Sequence, residues 1–210
     1  MKCDPPGACP GTPVCETLGM GTSVIRIHLN AYAANEFNPT PATSPVKGGR
    51  FDHTSPGEAF LYAGETLETA VAEALLRDLP PQPAPRVIPF AQVQGRSVSR
   101  LRTRRNLELL SLHGRGLSQL GQDSWLTSCD ACDYPITRRW ATAIRRWAPG
   151  AAGFVWRSRR LQDELAYVFY STRVGPKGFE VKATRRADQG AGLDEIRQIL
   201  AAHLAVLGGP

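Results

Sequence analysis

The sequence predicts an α+β fold built on a largely antiparallel sheet with flanking helices. Short segments rich in β-branched and aromatic residues are mixed with a few amphipathic helices, without the regular alternation of a parallel α/β fold. The common phosphate-binding loops, GxGxxG and GxxxxGK[ST], are absent from the sequence. Hydrophobic residues make up 42% and charged residues 21% of the 210 residues, as in a globular protein with its own core.

The chain is expected to divide into two regions. Residues 1–22 are dense in proline and glycine and show no helix or strand period, so we expect a loose N-terminal tail there. Residues 23–210 are expected to form a single domain. No apolar run approaches the ~20 residues that a membrane helix needs, and the N-terminus lacks the apolar stretch of a secretory signal. We therefore expect a cytoplasmic protein.

The first half of the domain contains two predicted strands and one predicted helix. Residues 23–29 are rich in β-branched side chains and predict a strand. Prolines and glycines mark residues 38–57 as a loop, and residues 59–63 predict a second strand. Thr66 can cap a helix that runs through Leu79, where a pair of prolines ends it.

The second half contains the remaining predicted elements. Strands are expected at residues 86–90, 96–101, 153–156, 165–170 and 179–183. Residues 136–147 predict a helix, and Trp140 and Trp147 lie seven residues apart on it, where core packing is their expected role. A final helix is predicted from an apolar stripe formed by Leu193, Ile196, Leu200, Leu204 and Leu207.

Cysteine content and charge narrow the classes of function. Cys129 and Cys132 form a CxxC pair, but a structural zinc site needs four ligands and no second pair has suitable spacing. We therefore expect no metal site. The net charge of +6 suits an acidic partner: a phosphorylated small molecule, nucleic acid or an acidic protein. Charge alone does not choose among these.

Two clusters of candidate residues lie in the first half of the domain. Gly49 lets the backbone approach a ligand closely, and Arg50 offers a forked donor for phosphate, although a solvated arginine after a glycine turn explains the same residues. Tyr62 ends a predicted strand and Glu73 lies on the next helix. A surface ion pair between Glu73 and Arg77 is the alternative interpretation.

A third cluster completes a pattern along the chain. Ser158 follows the hydrophobic strand GFVWR and is flanked by arginines, an arrangement that is also common on surfaces. An arginine after a glycine pair, a glutamate on the helix after an LYA strand and this serine together resemble the RES domain family, named after its arginine, glutamate and serine. The matching residues are Arg50, Glu73 and Ser158, with Arg26 in the opening strand and Tyr62 in the LYA strand.

This resemblance, which covers roughly residues 23–173, implies a fold and an activity. It implies a relative of the ADP-ribosyltransferase fold, with a cleft between two small sheets. It also implies a toxin that degrades NAD by hydrolysis or phosphorolysis and is covered by an antitoxin, in a complex that can hold several copies of the chain. NAD is then the substrate, inorganic phosphate a candidate co-substrate, and no metal or other cofactor is expected.

The chemistry of NAD cleavage suggests a role for each matched residue. Loss of nicotinamide leaves oxocarbenium character on the ribose, so a site needs a phosphate anchor, a partner for the ring and a negative charge. We assign Arg26 and Arg50 to the phosphates and ribose, and Glu73 to the developing cation. Because an isoleucine rather than an aromatic residue follows the opening arginine, Tyr62 is the expected stacking partner of nicotinamide. Ser158 would position the ribose or an incoming phosphate.

Two other functions stay open at this point. The same fold could transfer ADP-ribose to a protein target. Alternatively, the chain could be a non-catalytic basic module that tracks nucleic-acid phosphates. The arginines for such a surface would be Arg96, Arg100, Arg102, Arg104, Arg105, Arg138, Arg139, Arg145 and Arg146. No familiar nucleic-acid motif accompanies them and aromatic residues are not interleaved, so direct nucleic-acid binding is not expected.

Overall fold

A computed structural model describes residues 3–45, 48–54, 58–80, 82 and 84–209, and it has the predicted α+β architecture. The strands of the described residues are β1 (Cys15–Leu18), β2 (Ser23–Leu29), β3 (Phe60–Gly64), β4 (Arg86–Ile88), β5 (Arg96–Thr103), β6 (Leu107–Ser111), β7 (Gly153–Arg157), β8 (Leu165–Tyr170), β9 (Phe179–Arg186) and β10 (Ala205–Leu207). The helices are α1 (Leu67–Val71), α2 (Arg115–Gln119), α3 (Trp125–Ser128), α4 (Tyr134–Trp147), α5 (Ser171–Val174) and α6 (Gly190–Ala202). None of these helices has the length and apolar character needed to cross a membrane.

The large sheet is antiparallel almost throughout. Its eight strands follow the order β1-β6-β7-β8-β3-β2-β5-β9, and only β6 and β7 run parallel to each other. The strands β4 and β10 form a separate parallel pair. The predicted largely antiparallel sheet with flanking helices is therefore confirmed.

The sheet is split into two halves between β2 and β3. These strands meet at one registered pair, Ile25 opposite Gly64, which we call the seam. Gly64 fits here because a Cβ on it would lie 2.6 Å from the backbone nitrogen of Ala70, so only glycine lets α1 approach the sheet this closely. Beyond the seam, β2 pairs along its whole length with β5, and β3 pairs with β8.

Buried side chains fill both faces of the sheet. One cluster lies under α4 and includes Trp140, which is fully buried as predicted and packs edge-on against Trp147 with ring centroids 5.9 Å apart. A second cluster fills the opposite face, around Phe169 and Phe179. The third joins α1 and α6 to the half of the sheet that carries β2. The helix that follows β3 is thus fixed between the sheet and the C-terminal helix.

The predicted helix from Thr66 to Leu79 differs from the observed one. Thr66 caps it as predicted, accepting a hydrogen bond from the Thr69 N–H at 3.1 Å. The α-helix ends at Val71, however, and a π-helical turn over Ala72–Leu76 follows directly. A π-helical turn is wider than an α-helical turn. Here it buries Ala72, Leu75 and Leu76, while Glu73 faces a cavity.

The C-terminal helix is shorter than predicted. The prediction that the helix continues through Leu204 and Leu207 is wrong, because α6 ends at Ala202. Leu204 adopts a left-handed backbone with φ of 51° and lies exposed, so the chain turns there. Leu207 then belongs to β10, which pairs with β4.

The N-terminal segment also differs from the expected loose tail. Residues 15–18 form β1, which pairs along its length with β6 and closes one edge of the large sheet. Further upstream, the carbonyl of Cys3 accepts a hydrogen bond from Trp140 Nε1 at 2.7 Å. Backbone pairing and long-range contacts such as this one order a segment whose proline and glycine content predicts a loose tail.

Candidate active site

A cavity of about 440 Å³ opens beside the seam, between β2 and β3. Strand β2 contributes Arg26, β3 contributes Tyr62, and the π-helical turn contributes Glu73. Gly49 completes the wall from the loop that precedes β3. The cavity lies in the size range of small-molecule sites, and four of the six residues singled out from the sequence line it.

Glu73 is the best-supported side chain in this wall. Its Oε1 accepts hydrogen bonds from the Ser158 hydroxyl at 2.9 Å and from the backbone N–H of Arg159 at 3.3 Å. Its Oε2 lies 3.5 Å from Arg50 Nη1. The side chain is 14% exposed, so a carboxylate held by three donors remains accessible to the cavity. The surface ion pair between Glu73 and Arg77 considered above does not form.

Arg50 and Ser158 lie behind Glu73 and do not line the cavity. Both are fully buried. Arg50 Nε and Nη2 have no oxygen acceptor among the described residues. Burial raises the pKa of the adjacent Cys129 thiol against the opposing effect of Arg50, so no thiolate balances the guanidinium at neutral pH. The structure therefore brings the matched arginine, glutamate and serine together, with the arginine and the serine holding the glutamate in place.

The loop that carries Gly49 is clamped by two arginines. Arg138 Nε donates to the Gly49 carbonyl at 3.1 Å, and Arg77 Nη2 donates to the Gly48 carbonyl at 2.8 Å. Gly48 has a φ of 92°, which favours glycine. A Cβ on Gly49 would lie 2.5 Å from the Tyr62 hydroxyl, so this glycine lets the loop pack against the β3 tyrosine.

Asp52 is a cavity residue that the sequence analysis missed. Its Oδ2 accepts a hydrogen bond from the Gly49 N–H at 2.7 Å, and its side chain is almost fully buried in the cavity wall. Burial raises the pKa of Asp52, against the opposing effects of the Gly49 N–H and the Tyr62 hydroxyl. The one feature of the sequence that could have pointed to Asp52 is its position two residues after Arg50.

Tyr62 lines the cavity, and its hydroxyl is held by a hydrogen bond from the loop before β3. The hydroxyl accepts a hydrogen bond from the Phe51 N–H at 3.0 Å, and burial raises the pKa of Tyr62 well above its usual range, so the phenol stays neutral. The ring packs edge-on against Trp156, with centroids 6.2 Å apart. Two aromatic side chains therefore form one wall close to Glu73.

Arg26 lines the cavity, and part of its guanidinium is hydrogen-bonded to the backbone of the protein itself. Its Nη1 donates to the carbonyls of Ala34 at 2.7 Å and Glu36 at 2.6 Å, which fixes the loop after β2. Burial lowers its pKa to about 10, so the side chain remains cationic at neutral pH. Next to it, His28 Nε2 is bonded to the Ser99 hydroxyl at 2.8 Å.

The nine arginines considered for nucleic-acid binding do not form one surface. Arg138 is buried under the glycine loop, and Arg145 is paired with Glu58. Arg96 lines the cavity. At least these three are therefore unavailable to a continuous phosphate-tracking face.

Comparisons with known proteins bear on the family. The RES domain profile matches residues 23–190, and no curated protein matches the chain in sequence. Among solved structures, a chain from the crystal structure of the M. tuberculosis MbcT–MbcA toxin–antitoxin complex superposes with a TM-score of 0.61 at 11% sequence identity. The alignment covers 88% of this chain and 92% of that one, which shows a shared fold. Because the profile spans most of its length and all the matched residues, the chain belongs to the RES domain family.

Proposed function

We propose that this RES domain protein is an NAD-consuming toxin that cleaves the bond between nicotinamide and ribose. The observation that carries the proposal is the placement of Glu73: a carboxylate held by Ser158, Arg159 and Arg50 at the wall of an aromatic-sided cavity. A fixed negative charge in a partly desolvated site stabilises a cation that forms during the reaction.

In the proposed reaction the nicotinamide ring lies against Tyr62 and the ribose against Glu73. As the C–N bond breaks, its electron pair goes to nicotinamide, and Glu73 stabilises the positive charge that develops on the sugar. Arg50 and Ser158 keep the carboxylate in this position without touching the substrate. Arg26 contributes positive charge to the ribose and phosphate side of the cavity.

The acceptor decides the reaction class. Attack by water forms a new C–O bond, releases a proton and gives ADP-ribose. Attack by inorganic phosphate gives ADP-ribose phosphorylated at the anomeric carbon. The scheme uses no metal or other cofactor.

The test is nicotinamide release from NAD by purified protein, with and without inorganic phosphate. Glu73→Gln keeps the size of the side chain and removes its charge, so we expect release to fall at least about 100-fold. Glu68→Gln, on α1 but outside the cavity, is the matched control and should retain activity. Absence of release from folded wild-type protein would contradict the proposal, and ADP-ribose found only on protein would favour the transferase alternative.

We further propose that an antitoxin covers the cavity. Two observations support this: the solved structure described above is a toxin–antitoxin complex, and the net charge of +6 suits an acidic covering segment. In bacteria, expression of the wild-type chain alone should lower cellular NAD and stop growth. Glu73→Gln should do neither, and growth arrest by that variant would separate toxicity from NAD cleavage.

A further inference from the structure

The arginines of the cavity wall differ in how far the protein itself uses them. Arg26 donates through Nη1 to backbone carbonyls, and Arg77 donates to Asp78 at 3.1 Å and to the Gly48 carbonyl at 2.8 Å. Arg96 also lines the cavity, yet its guanidinium makes no hydrogen bond or ion pair with any described residue. A half-buried cation without a protein partner is costly unless a ligand supplies the opposite charge.

The sheet register places Arg96 far from the seam. Arg96 lies opposite Leu29 on β2, whereas the seam residue Ile25 lies four residues back along the same strand. At ~3.3 Å per residue this is about 13 Å. The helix that leads to Glu73 starts at the seam, where Ala70 contacts Gly64. A ribose-sized ligand at the seam end cannot span this distance, but a dinucleotide can.

The surroundings of Arg96 fit the phosphate end of a nucleotide. Tyr32, in the loop after β2, also lines the cavity, and its N–H donates to the carbonyl of Leu29, the residue opposite Arg96, so an aromatic residue lies near this end. His28, the nearest titratable group on β2, has its pKa lowered by burial and by Arg26, and its ring nitrogens are taken by Leu29 and Ser99. No carboxylate of the described residues is paired with Arg96 to compete for its charge.

We propose that Arg96 binds a phosphate of the substrate and thereby selects dinucleotides over nucleosides. This inference rests on the proposed function, because it assumes that the substrate's reacting ribose lies at Glu73. The sequence suggests Arg26 and Arg50 as the phosphate contacts. Because Arg50 lies outside the cavity, we assign the main phosphate contact to Arg96 on β5 instead. Charge-assisted hydrogen bonds from an arginine fork to phosphate account for the expected affinity.

The experiment is calorimetric binding of ADP-ribose and of adenosine to wild type, Arg96→Gln and Arg96→Lys. Loss of a charge-assisted contact should weaken ADP-ribose binding about tenfold or more in Arg96→Gln, less in Arg96→Lys, and leave adenosine unchanged. Arg100→Gln, on the same strand but outside the cavity, is the matched control and should bind as wild type does.

The outcomes separate this inference from the proposed function. Unchanged ADP-ribose affinity in Arg96→Gln would overturn the role of Arg96, even if NAD cleavage is intact. Equal weakening of ADP-ribose and adenosine would also overturn it, because a phosphate contact cannot affect adenosine. Arg96-dependent binding of ADP-ribose by a protein that does not cleave NAD would support the phosphate site and remove the proposed function. Absence of ADP-ribose binding in wild type would overturn the inference.

Discussion

At the residue scale, Glu73 shows how fully buried side chains hold a partly exposed one in position. Two of its three donors come from residues 158 and 159, directly after β7, and the third comes from the glycine loop before β3. Donors fixed by separate elements restrict the carboxylate more strongly than a neighbour on its own helix would. This arrangement predicts distinct kinetic effects for the buried groups and the cavity residues.

Ser158→Ala tests the supporting role of the serine. Removing the hydroxyl takes away the 2.9 Å hydrogen bond to Glu73, so kcat for nicotinamide release should fall about tenfold or more. KM for NAD should change little, because Ser158 does not line the cavity. Ser128→Ala, on α3, serves as the control in the same kinetic assay. A rise in KM with unchanged kcat would show that Ser158 contacts the substrate instead.

Asp52 gives a prediction about pH. Because burial raises its pKa, the folded protein holds the proton more tightly than the unfolded chain, and ionisation near neutral pH opposes folding. Asp52→Asn keeps an oxygen for the Gly49 N–H and removes the charge, so at pH 7 it should be as stable as wild type or more stable. The advantage should shrink as pH falls toward the ordinary aspartate pKa of about 3.9. Urea unfolding across this range measures it, and a marked loss of stability at pH 7 would contradict it.

The sequence revealed the candidate residues better than their roles. Arg50, Glu73 and Ser158 could be grouped because their order along the chain carries a family pattern. That Arg50 lies behind Glu73 could not be read from the sequence, since it depends on the packing of the glycine loop against α4. In the sequence Arg96 is one of a run of arginines, and its isolation from carboxylates exists only in three dimensions.

At the scale of elements, the π-helical turn sets the position of Glu73. The apolar spacing after Thr66 predicts a regular helix, and both an α-helix and an α-helix with one π turn satisfy it. By contrast, β2 and β8 begin and end where the sequence predicts, because their dense β-branched and aromatic residues strongly favour a strand. The sequence does not predict β6, since its leucine-rich segment carries no strong strand preference.

The start of α1 gives a prediction about stability. Thr66→Ala removes the N-cap and the hydroxyl that donates to Glu164, so the free energy of unfolding should fall by about 1 kcal/mol or more. For a chain of this size each kcal/mol corresponds to a fall in Tm of about 2–4 °C. Thr66→Ser retains the cap and should stay close to wild type. Equal melting of Thr66→Ala and wild type would show that the cap contributes nothing.

At the scale of the whole molecule, the N-terminal segment protects an edge of the sheet. A variant that lacks residues 1–18 loses β1 and exposes the backbone of β6. We expect it to unfold at lower denaturant and to lose about 2 kcal/mol or more, comparable to exposing one buried apolar side chain. Cys15→Ala, which changes an exposed side chain of β1 and keeps the pairing, should behave as wild type. A truncated protein of unchanged stability would show that β1 is dispensable.

The seam makes the two halves of the sheet depend on whatever occupies the cavity. Backbone hydrogen bonding between β2 and β3 is limited to one registered pair, so a molecule that touches both strands acts as a cross-link between the halves. Amide hydrogens of β2 and β3 should therefore exchange with deuterium more slowly when ADP-ribose is bound, while those of β1 and β6 exchange as before. A ligand in the cavity would then do for the boundary between β2 and β3 what a full ladder of backbone hydrogen bonds does elsewhere in the sheet, and the ligand-free protein should be more open to proteolysis.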